Sequence, residues 1–163
     1  MTITIRKAGM DDAEAISNII NSVVDEKKYT SLRKFSAEEE KEYINSLTDR
    51  ESIFIAIKDR KVVGFQDISL FAKWSESMNH VGNILTLILK DFRNQGIGKL
   101  LAEKTLEFAR QNGYEKISTY IMEDNVGALN YYKSLGFNPV GKWSKQVKID
   151  GKYQDEIVVE LFL

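Results

Sequence analysis

Two glycines stand one residue apart in the segment from Phe92 to Gly113, FRNQGIGKLLAEKTLEFARQNG, just before a helical pattern begins. The first N–H groups of a helix have no intrahelical partner, and together with the helix dipole they attract anions. Gly96 and Gly98 would let the backbone close around a bulky anion, and Arg93 and Lys99 add positive charge beside it. The segment therefore predicts a phosphate-binding loop. The alternative, in which the glycines only permit a tight turn and close helix packing, stays open at this point.

Two common nucleotide motifs do not match this loop. A P-loop requires G-x-x-x-x-G-K followed by Ser or Thr, but Arg93 occupies the first glycine position and Leu100 follows Lys99. The dinucleotide fingerprint G-x-G-x-x-G fails because Leu101 stands at its third glycine. The pattern that remains is R-x-x-G-x-G, from Arg93 to Gly98, between a predicted strand and a predicted helix.

A second motif lies in the segment EDNVGALNYYKSLGF, which contains the pattern N-x-x-A-x-x-x-Y-x-x-x-G-F. Its Asn125 and Tyr132 are nearly two helical turns apart, so they point the same way with the small Ala128 between them. A long, thin ligand could lie along that face. The alternative is an ordinary core helix with Asn125 as its cap and a buried tyrosine.

With these two motifs in this order and at this distance, the chain resembles the GNAT superfamily of N-acetyltransferases, whose signature loop is Q/R-x-x-G-x-G/A. The likeness extends over nearly the whole chain, and one departure is Lys90, where many relatives have proline. It implies that the loop binds the pyrophosphate of acetyl-coenzyme A (acetyl-CoA) and that backbone groups near Leu87 and Ile88 pair with its pantetheine arm. The implied acetyl-CoA-binding residues are Leu87, Ile88, Arg93, Asn94, Gln95, Gly96, Ile97, Gly98, Lys99, Asn125, Ala128 and Tyr132.

Transfer of an acetyl group to an amine requires a neutral amine and a proton for the departing thiolate. We predict Tyr132 as the catalytic general acid, since a phenol can hand its proton to a thiolate, while Asn125 positions the cofactor. Glu26, Glu123 and Asp155 are the candidates for the general base, although a carboxylate in such a position is more often a solvated surface charge. The chain has no cysteine, so an acetyl-cysteine intermediate cannot form, and we expect direct attack of the amine on the thioester.

Composition excludes several other classes of protein. The 163 residues, 43% of them hydrophobic, suffice for one domain, predicted over residues 1–163. A net charge of -1 gives no general attraction for nucleic acid or an anionic membrane, so we expect a small-molecule partner, with a homodimer allowed. The lack of cysteine, signal peptide and long apolar run predicts a cytoplasmic protein. His80 is the only histidine, and no spacing around it indicates metal ligands, so no metal is predicted.

The elements that must position these motifs follow from their periodicities. Alternating or continuous apolar runs predict strands, steps of three and four residues predict helices, and Ser36 to Glu39 form a capping box. The predicted strands are about 2–7, 52–58, 61–71, 81–90, 116–122, 140–149 and 153–162, and the predicted helices are about 13–24, 37–47, 97–111 and 126–135. This order predicts an α/β fold in one GNAT-like domain, a mixed β-sheet of about seven strands flanked by about four helices on both faces.

We therefore expect an enzyme that moves an acetyl group from acetyl-CoA to a primary amine of a small molecule or amino acid. Residues 26–35 and the closing hairpin around Trp143 and Tyr153 are expected to wall the acceptor pocket. Three alternatives stay open. They are a peptide or protein N-terminal acetyltransferase, a non-catalytic acetyl-CoA-binding sensor, and an enzyme that uses the loop for another phosphorylated ligand.

Overall fold

A seven-stranded β-sheet and four α-helices make up the protein in the computed structural model, which describes residues 2–163. The strands are β1 (Thr4–Lys7), β2 (Ser52–Lys58), β3 (Lys61–Leu70), β4 (Val81–Ile88), β5 (Lys116–Met122), β6 (Asn138–Ile149) and β7 (Lys152–Phe162). The helices are α1 (Ala13–Asp25), α2 (Ala37–Ser46), α3 (Ile97–Gln111) and α4 (Val126–Ser134). The predicted α/β fold is confirmed, and every predicted strand and helix is present.

The strand order across the sheet is β1-β2-β3-β4-β5-β7-β6. Neighbouring strands are antiparallel except β4 and β5, which run parallel, and β4 is central as predicted. Helices cover both faces: α1 packs with Phe65 and Leu87 on one face, while α3 and α4 pack with Ile84 and Ile117 on the other. Within residues 2–163, none of the helices combines the length and the apolar character needed to cross a membrane.

Short-range interactions account for the ends of several elements. The Ser36 hydroxyl accepts a hydrogen bond from the Glu39 N–H at 3.1 Å, and the Glu39 carboxylate accepts one from the Ser36 N–H at 2.8 Å, which completes the predicted capping box. The β6–β7 hairpin turns through Asp150 and Gly151, whose φ values of 47° and 81° suit a two-residue turn. Gly113, with a φ of 79°, follows the end of α3. These elements therefore begin and end where local interactions place them.

Strands β4 and β5 separate along the sheet and leave a gap between them. They pair only over Val81–Asn83 and Lys116–Ser118, although β4 continues in pairing with β3 and β5 continues in pairing with β7. The Thr119 hydroxyl donates to the carbonyl of Ile84 at 2.9 Å where the two strands separate. The rest of this edge of β4 faces the gap rather than a neighbouring strand.

Candidate active site

The loop before α3 presents a row of backbone N–H groups. Asn94 and Gly96 have positive φ values of 59° and 80°, which help a turn to direct neighbouring N–H groups to one side. Within residues 2–163, no group accepts a hydrogen bond from the N–H groups of residues 94–99. Ile97 is buried in the core and can offer a ligand only its backbone, whereas Lys99 is exposed. This is the arrangement expected of an anion-binding loop.

Glycine is required at the two positions of the loop for different structural reasons. At Gly96 the positive φ is the constraint, because an added Cβ would meet no atom within 4 Å. At Gly98 space is the constraint, because an added Cβ would lie 2.9 Å from Cε2 of Tyr131. The Tyr131 hydroxyl also donates to the Gly98 carbonyl at 2.8 Å. Close packing, the alternative that the sequence left open, therefore applies to Gly98, while Gly96 shapes the loop.

Arg93 is paired with Glu26, which directly follows α1. Its Nη1 donates to Glu26 Oε2 at 2.8 Å, and its Nε donates to the carbonyl of Ile88 at 2.9 Å. The hydrogen bond from Arg93 lowers the pKa of the Glu26 carboxyl, so this group is a poor proton acceptor and the geometry does not favour it as the general base. The Gln95 amide oxygen accepts a hydrogen bond from Lys58 Nζ at 2.7 Å. Arg93 and Gln95 thus fasten the loop to the rest of the protein.

Two cavities meet at the gap between β4 and β5. The first, about 630 Å³, extends along the loop and the start of α4, and we name it the cofactor groove after the role that the resemblance implies. The second, about 680 Å³, lies between the sheet, α2 and the segment 29–35, and we name it the acceptor cavity because this segment is much of the wall expected for the acceptor pocket. The residues that line both cavities are Tyr29, Thr86, Leu87, Asn125, Ala128 and Tyr132.

The edge of β4 supplies backbone groups to the gap at alternate residues. The Leu87 carbonyl lies toward Gly64 of β3, so the alternation of a β-strand directs the backbone groups of Thr86 and Ile88 away from β3 and into the gap. The two residues implied by the family resemblance therefore differ. Ile88 offers its N–H, since its carbonyl already accepts a hydrogen bond from Arg93, whereas Leu87 lines both cavities.

Tyr132 lies at the junction of the two cavities, with only 6% of its surface exposed. Its hydroxyl oxygen is 2.9 Å from Oγ1 of Thr86. Gln66 Nε2 donates to the same Thr86 oxygen at 2.7 Å and to the Tyr131 hydroxyl at 3.1 Å. Burial raises the pKa of Tyr132 well above the ordinary value of a phenol. The phenol therefore keeps its proton at neutral pH and is available as a proton donor.

Asn125 caps α4, as expected if the second motif were an ordinary core helix. Its Oδ1 accepts a hydrogen bond from the Ala128 N–H at 3.1 Å. Its side-chain NH₂ group makes no hydrogen bond within residues 2–163, and the residue lines both cavities. The capping bond therefore fixes the side chain and leaves its donor groups for a ligand.

Three buried carboxylates line the acceptor cavity. Glu40 of α2, Asp67 of β3 and Glu156 of β7 are 5%, 5% and 4% exposed. The Tyr43 hydroxyl donates to Asp67 Oδ2 at 2.6 Å. Burial, helped by the nearby negative charge of Asp67, raises the pKa of Glu40 to about 7. Burial also raises the pKa of Asp67 to about 6 and lifts the pKa of Glu156 above its usual value. Burial therefore favours the neutral forms of these carboxyl groups, and a cation bound in the cavity would favour their ionised forms.

None of these three carboxylates was among the residues singled out from the sequence. Asp67 stands inside the apolar run KVVGFQDISLF, and a charged residue in a strand interior was a usable signal for a site. Glu40 lies in the segment EEEKE, which indicates an exposed helix, and its burial depends on how α2 covers the sheet. Glu156 lies in a strand whose sequence alternates like that of any half-buried strand, so the local pattern does not indicate that its carboxylate is buried in a cavity.

The other two predicted base candidates lie outside both cavities. Lys142 Nζ is 3.4 Å from a carboxylate oxygen of Glu123 and 3.4 Å from one of Asp155. The hydrogen bond from the Lys145 N–H and the Lys142 charge lower the pKa of Asp155. Both carboxylates are thus paired at the surface, which is the ordinary role weighed for them from the sequence.

The prediction that Trp143 and Tyr153 wall the acceptor pocket is wrong. They are 40% and 56% exposed and line neither cavity, and the Trp143 ring packs on Tyr120 with centroids 5.5 Å apart. Trp143 lies on the edge strand β6, and Tyr153 lies on the part of β7 that extends beyond its pairing with β5, so both are remote from the gap. The closing hairpin contributes Glu156 instead.

Within residues 2–163 no cluster of His, Cys, Asp or Glu side chains is arranged to hold a metal.

Comparison with known proteins identifies the family of this chain. The description "Acetyltransferase (GNAT) family" belongs to the family model that matches residues 17–137. A curated relative from Salmonella typhimurium, named Peptidyl-lysine N-acetyltransferase YjaB, is 28% identical over 143 residues, which are 87% of this chain and 88% of that protein. An uncharacterized N-acetyltransferase from Methanocaldococcus jannaschii is 30% identical over 106 residues, 61% of this chain, and the match spans only 46% of that longer protein.

The fold has a close counterpart among solved structures. The putative acetyltransferase yncA from Salmonella typhimurium, solved with its cofactor acetyl-CoA, superposes with a TM-score of 0.91 at 18% identity and covers 100% of this chain and 95% of that one. A glycine loop beside two separating parallel strands, together with the family match, defines an N-acetyltransferase domain. The chain belongs to the GNAT family of acetyltransferases.

Proposed function

We propose that this protein transfers the acetyl group of acetyl-CoA to the primary amine of a small acceptor by direct attack. The observation that carries the proposal is the junction of the two cavities at Thr86 and Tyr132. One cavity begins at an anion-binding loop, and the other is lined with carboxylates. An anionic thioester and a cationic amine would therefore meet beside a buried phenol.

The cofactor groove suits acetyl-CoA in its chemistry. The N–H groups of residues 94–99 would bind the pyrophosphate, and the backbone groups of Thr86 and the N–H of Ile88 would pair with the amides of the pantetheine arm. Acetyl-CoA supplies an activated acyl carbon that is open to attack by an amine. The acetyl-CoA named for the solved structure with the same fold supports this assignment.

In the proposed reaction the amine nitrogen forms a bond to the acyl carbon while the carbon–sulfur bond breaks. The thiolate takes a proton from the Tyr132 hydroxyl, and the products are an amide and the free thiol of CoA. Gln66 donates to Thr86 Oγ1, so the Thr86 hydroxyl proton is available to stabilise the oxygen of Tyr132 as it loses its own. Burial raises the pKa of Tyr132, and the same dry surroundings raise the pKa of the leaving thiol, which keeps the two groups matched.

Glu156 is the proposed base for the proton that the amine loses. It has no hydrogen-bond or ion-pair partner within residues 2–163, and it lines the acceptor cavity together with Tyr132. It pairs in register with Met122, whose carbonyl accepts the N–H of Asn125 just before α4. Burial raises the pKa of the Glu156 carboxyl, which makes its ionised form a stronger proton acceptor.

Other acceptors and roles are alternatives to this proposal. The relative named Peptidyl-lysine N-acetyltransferase favours a peptide acceptor, and a peptide N-terminus is a further candidate. A small acceptor is supported by the acceptor cavity, which α2 and the segment 29–35 cover. An acetyl-CoA sensor without turnover would need the groove but not the proton donor. Cytoplasmic location, a homodimer and a single domain over residues 1–163 stay predictions.

A matched pair of glycines tests the cofactor groove. Gly96 and Gly113 lie at opposite ends of α3, have φ values of 80° and 79°, and leave an added Cβ free of neighbours within 4 Å. Valine strains both positions to a similar extent. We expect Gly96→Val to weaken acetyl-CoA binding about 100-fold by calorimetry, the loss of about two hydrogen bonds to a charged group, and Gly113→Val to change it less than about twofold. Unchanged affinity in a folded Gly96→Val protein would contradict the role of the loop.

Ligand specificity and turnover complete the test. Acetyl-CoA or CoA at about 100 times its dissociation constant should stabilise the protein by about 2.7 kcal/mol, and ATP and NAD should not. Thiol release should then be measured with small amines, amino acids, peptidyl lysines and peptide N-termini. Stabilisation by ATP or NAD alone would favour another phosphorylated ligand. Binding of acetyl-CoA without thiol release from any acceptor would favour the sensor.

A further inference from the structure

The carboxylates of the acceptor cavity lie on both sides of the gap and on one face of the sheet. Asp67 pairs with Leu85 of β4 and shares the face of Phe65, which packs against α1. Glu156 lies three residues before Val159, which packs on the α3 side, so Glu156 points to the opposite face, the same one as Asp67. Three strand spacings separate β3 from β7, and at about 4.8 Å each they amount to about 14 Å.

This separation is too large for one positive group to satisfy both sides. Strand side chains stand roughly perpendicular to the sheet, and an ammonium nitrogen forms hydrogen bonds of about 2.9 Å. The opening between β4 and β5 adds to the separation. Two positive groups on one ligand are therefore required to compensate the carboxylates at the two sides.

Glu40 and Glu156 have no compensating partner in the protein. Each is more than nine-tenths buried and lines the cavity, and neither makes a hydrogen bond or ion pair within residues 2–163. Asp67 accepts hydrogen bonds from the Tyr43 hydroxyl, at 2.6 Å, and from the Ser69 side chain, but it makes no ion pair within residues 2–163. Buried carboxylates without a cation destabilise a fold, so their presence in a cavity indicates a cationic ligand.

The cavity has no available cation for a carboxylate-bearing acceptor such as a free amino acid. Of the residues within 2–163 that line it, Arg33 is the only cationic one. Its guanidinium donates to Glu39 at 2.8 Å and lies over the Phe35 ring at 4.1 Å from the centroid. The guanidinium already pairs with a carboxylate and stacks on a ring of the protein, so it is not free to bind the carboxylate of a ligand.

We infer that the acceptor is a diamine or a linear polyamine. One amine reacts at the gap beside Glu156, and a second ammonium is bound by Glu40 and Asp67 on the other side. This inference rests on the proposed transferase activity and narrows its acceptor class. The inference predicts a preference for aliphatic diamines over monoamines, which lack the second positive charge, and over amino acids, which add a negative charge.

The first test compares acceptors that differ only in the second charge. With acetyl-CoA saturating, kcat/KM should be at least about 30-fold higher for 1,4-diaminobutane than for 1-aminobutane, the lower end expected for a desolvated charge pair. Lysine should be a poorer acceptor than 1,5-diaminopentane, which differs from it by the carboxylate alone. Equal turnover of monoamine and diamine, a preference for amino acids, or activity confined to peptides would overturn the inference while leaving acetyl transfer established.

The second test assigns the effect to the carboxylates. Glu40→Gln should lower the preference for diamine over monoamine at least about tenfold, chiefly through the KM of the diamine. Glu38→Gln is the matched control, because Glu38 lies on the same helix, is largely exposed and does not line the cavity. Asp67→Asn, which keeps the hydrogen bond from Tyr43, should act in the same direction as Glu40→Gln. An unchanged preference in both cavity variants would overturn the inference.

A binding measurement separates this inference from the proposed reaction. Calorimetric titration of 1,4-diaminobutane into the protein saturated with CoA, where no acetyl group is available, should show binding that Glu40→Gln weakens at least about tenfold. Diamine binding without turnover would contradict the proposed function and retain the ligand class. Turnover of amines without selective diamine binding would support the proposed function and contradict the inference about the ligand class.

Discussion

Replacement of Tyr132 by phenylalanine is the sharpest test of the proposed chemistry, because it removes the proton donor and keeps the ring. The ring packs edge-on against Phe137 and Tyr131, with centroids 5.2 and 4.9 Å apart, and phenylalanine retains both contacts. The hydroxyl makes one hydrogen bond, to Thr86, which still has its bond from Gln66 in the variant. We expect the fold to lose about 1 kcal/mol, or about 2–4 °C in Tm for a chain of this length.

The expected effect on the reaction is much larger than this structural cost. General acid assistance contributes about 100- to 10,000-fold in rate, or about 3–5 kcal/mol of activation free energy. The assay is kcat for the best acceptor, with acetyl-CoA affinity measured separately so that binding and chemistry are not confused. Because burial raises the pKa of Tyr132 so far, deprotonation of this residue should cause no loss of kcat below about pH 10 in the unmodified enzyme.

The adjacent tyrosine provides the control. Tyr131→Phe removes the hydrogen bond to the Gly98 carbonyl, so it should weaken acetyl-CoA binding severalfold and leave kcat within about fivefold. A fall in kcat of less than about fivefold in Tyr132→Phe, with unchanged affinity, would refute the assignment and leave Tyr132 as a packing residue. An equal fall in both variants would show that the pair matters for the shape of the site rather than for proton transfer.

Three further predictions concern charge and capping. Glu40→Gln should stabilise the protein by up to about 3 kcal/mol above pH 7 and by nothing below about pH 4.5, because the raised pKa of about 7 means that the buried carboxyl group destabilises the fold only when it is ionised. Urea unfolding across this pH range measures the change in stability, and a gain at low pH would contradict the prediction. Glu156→Gln should lower kcat about 100-fold and abolish the rise of kcat with pH in the acidic limb, whereas a retained limb would assign the base elsewhere. Ser36→Ala should lower the stability by about 1 kcal/mol through loss of the bond to Glu39, which a shift in Tm measures and an unchanged Tm would contradict.

Features that depend on neighbours in the sequence were predicted correctly. The capping box at Ser36, the turn at Asp150 and Gly151, and the glycine after α3 each involve residues within a few positions of one another, so the amino acid types suffice to indicate them. The loop of Arg93 to Lys99 was found for the same reason. The central place of β4 followed from its apolar character on both faces.

The site, in contrast, is assembled from residues that are far apart along the chain. Glu40, Asp67 and Glu156 come from three different elements, and only the packing of α2 over the sheet and the register of β7 bring them to one cavity. The pairing of Arg93 with Glu26 crosses 67 positions and changed the expected role of both. The helices, the strands and the glycine loop before α3 could be predicted from the sequence, because each depends on residues close together along the chain. Which carboxylates are buried without a cationic partner could be seen only in the folded structure, because desolvation and charge pairing depend on contacts between distant segments.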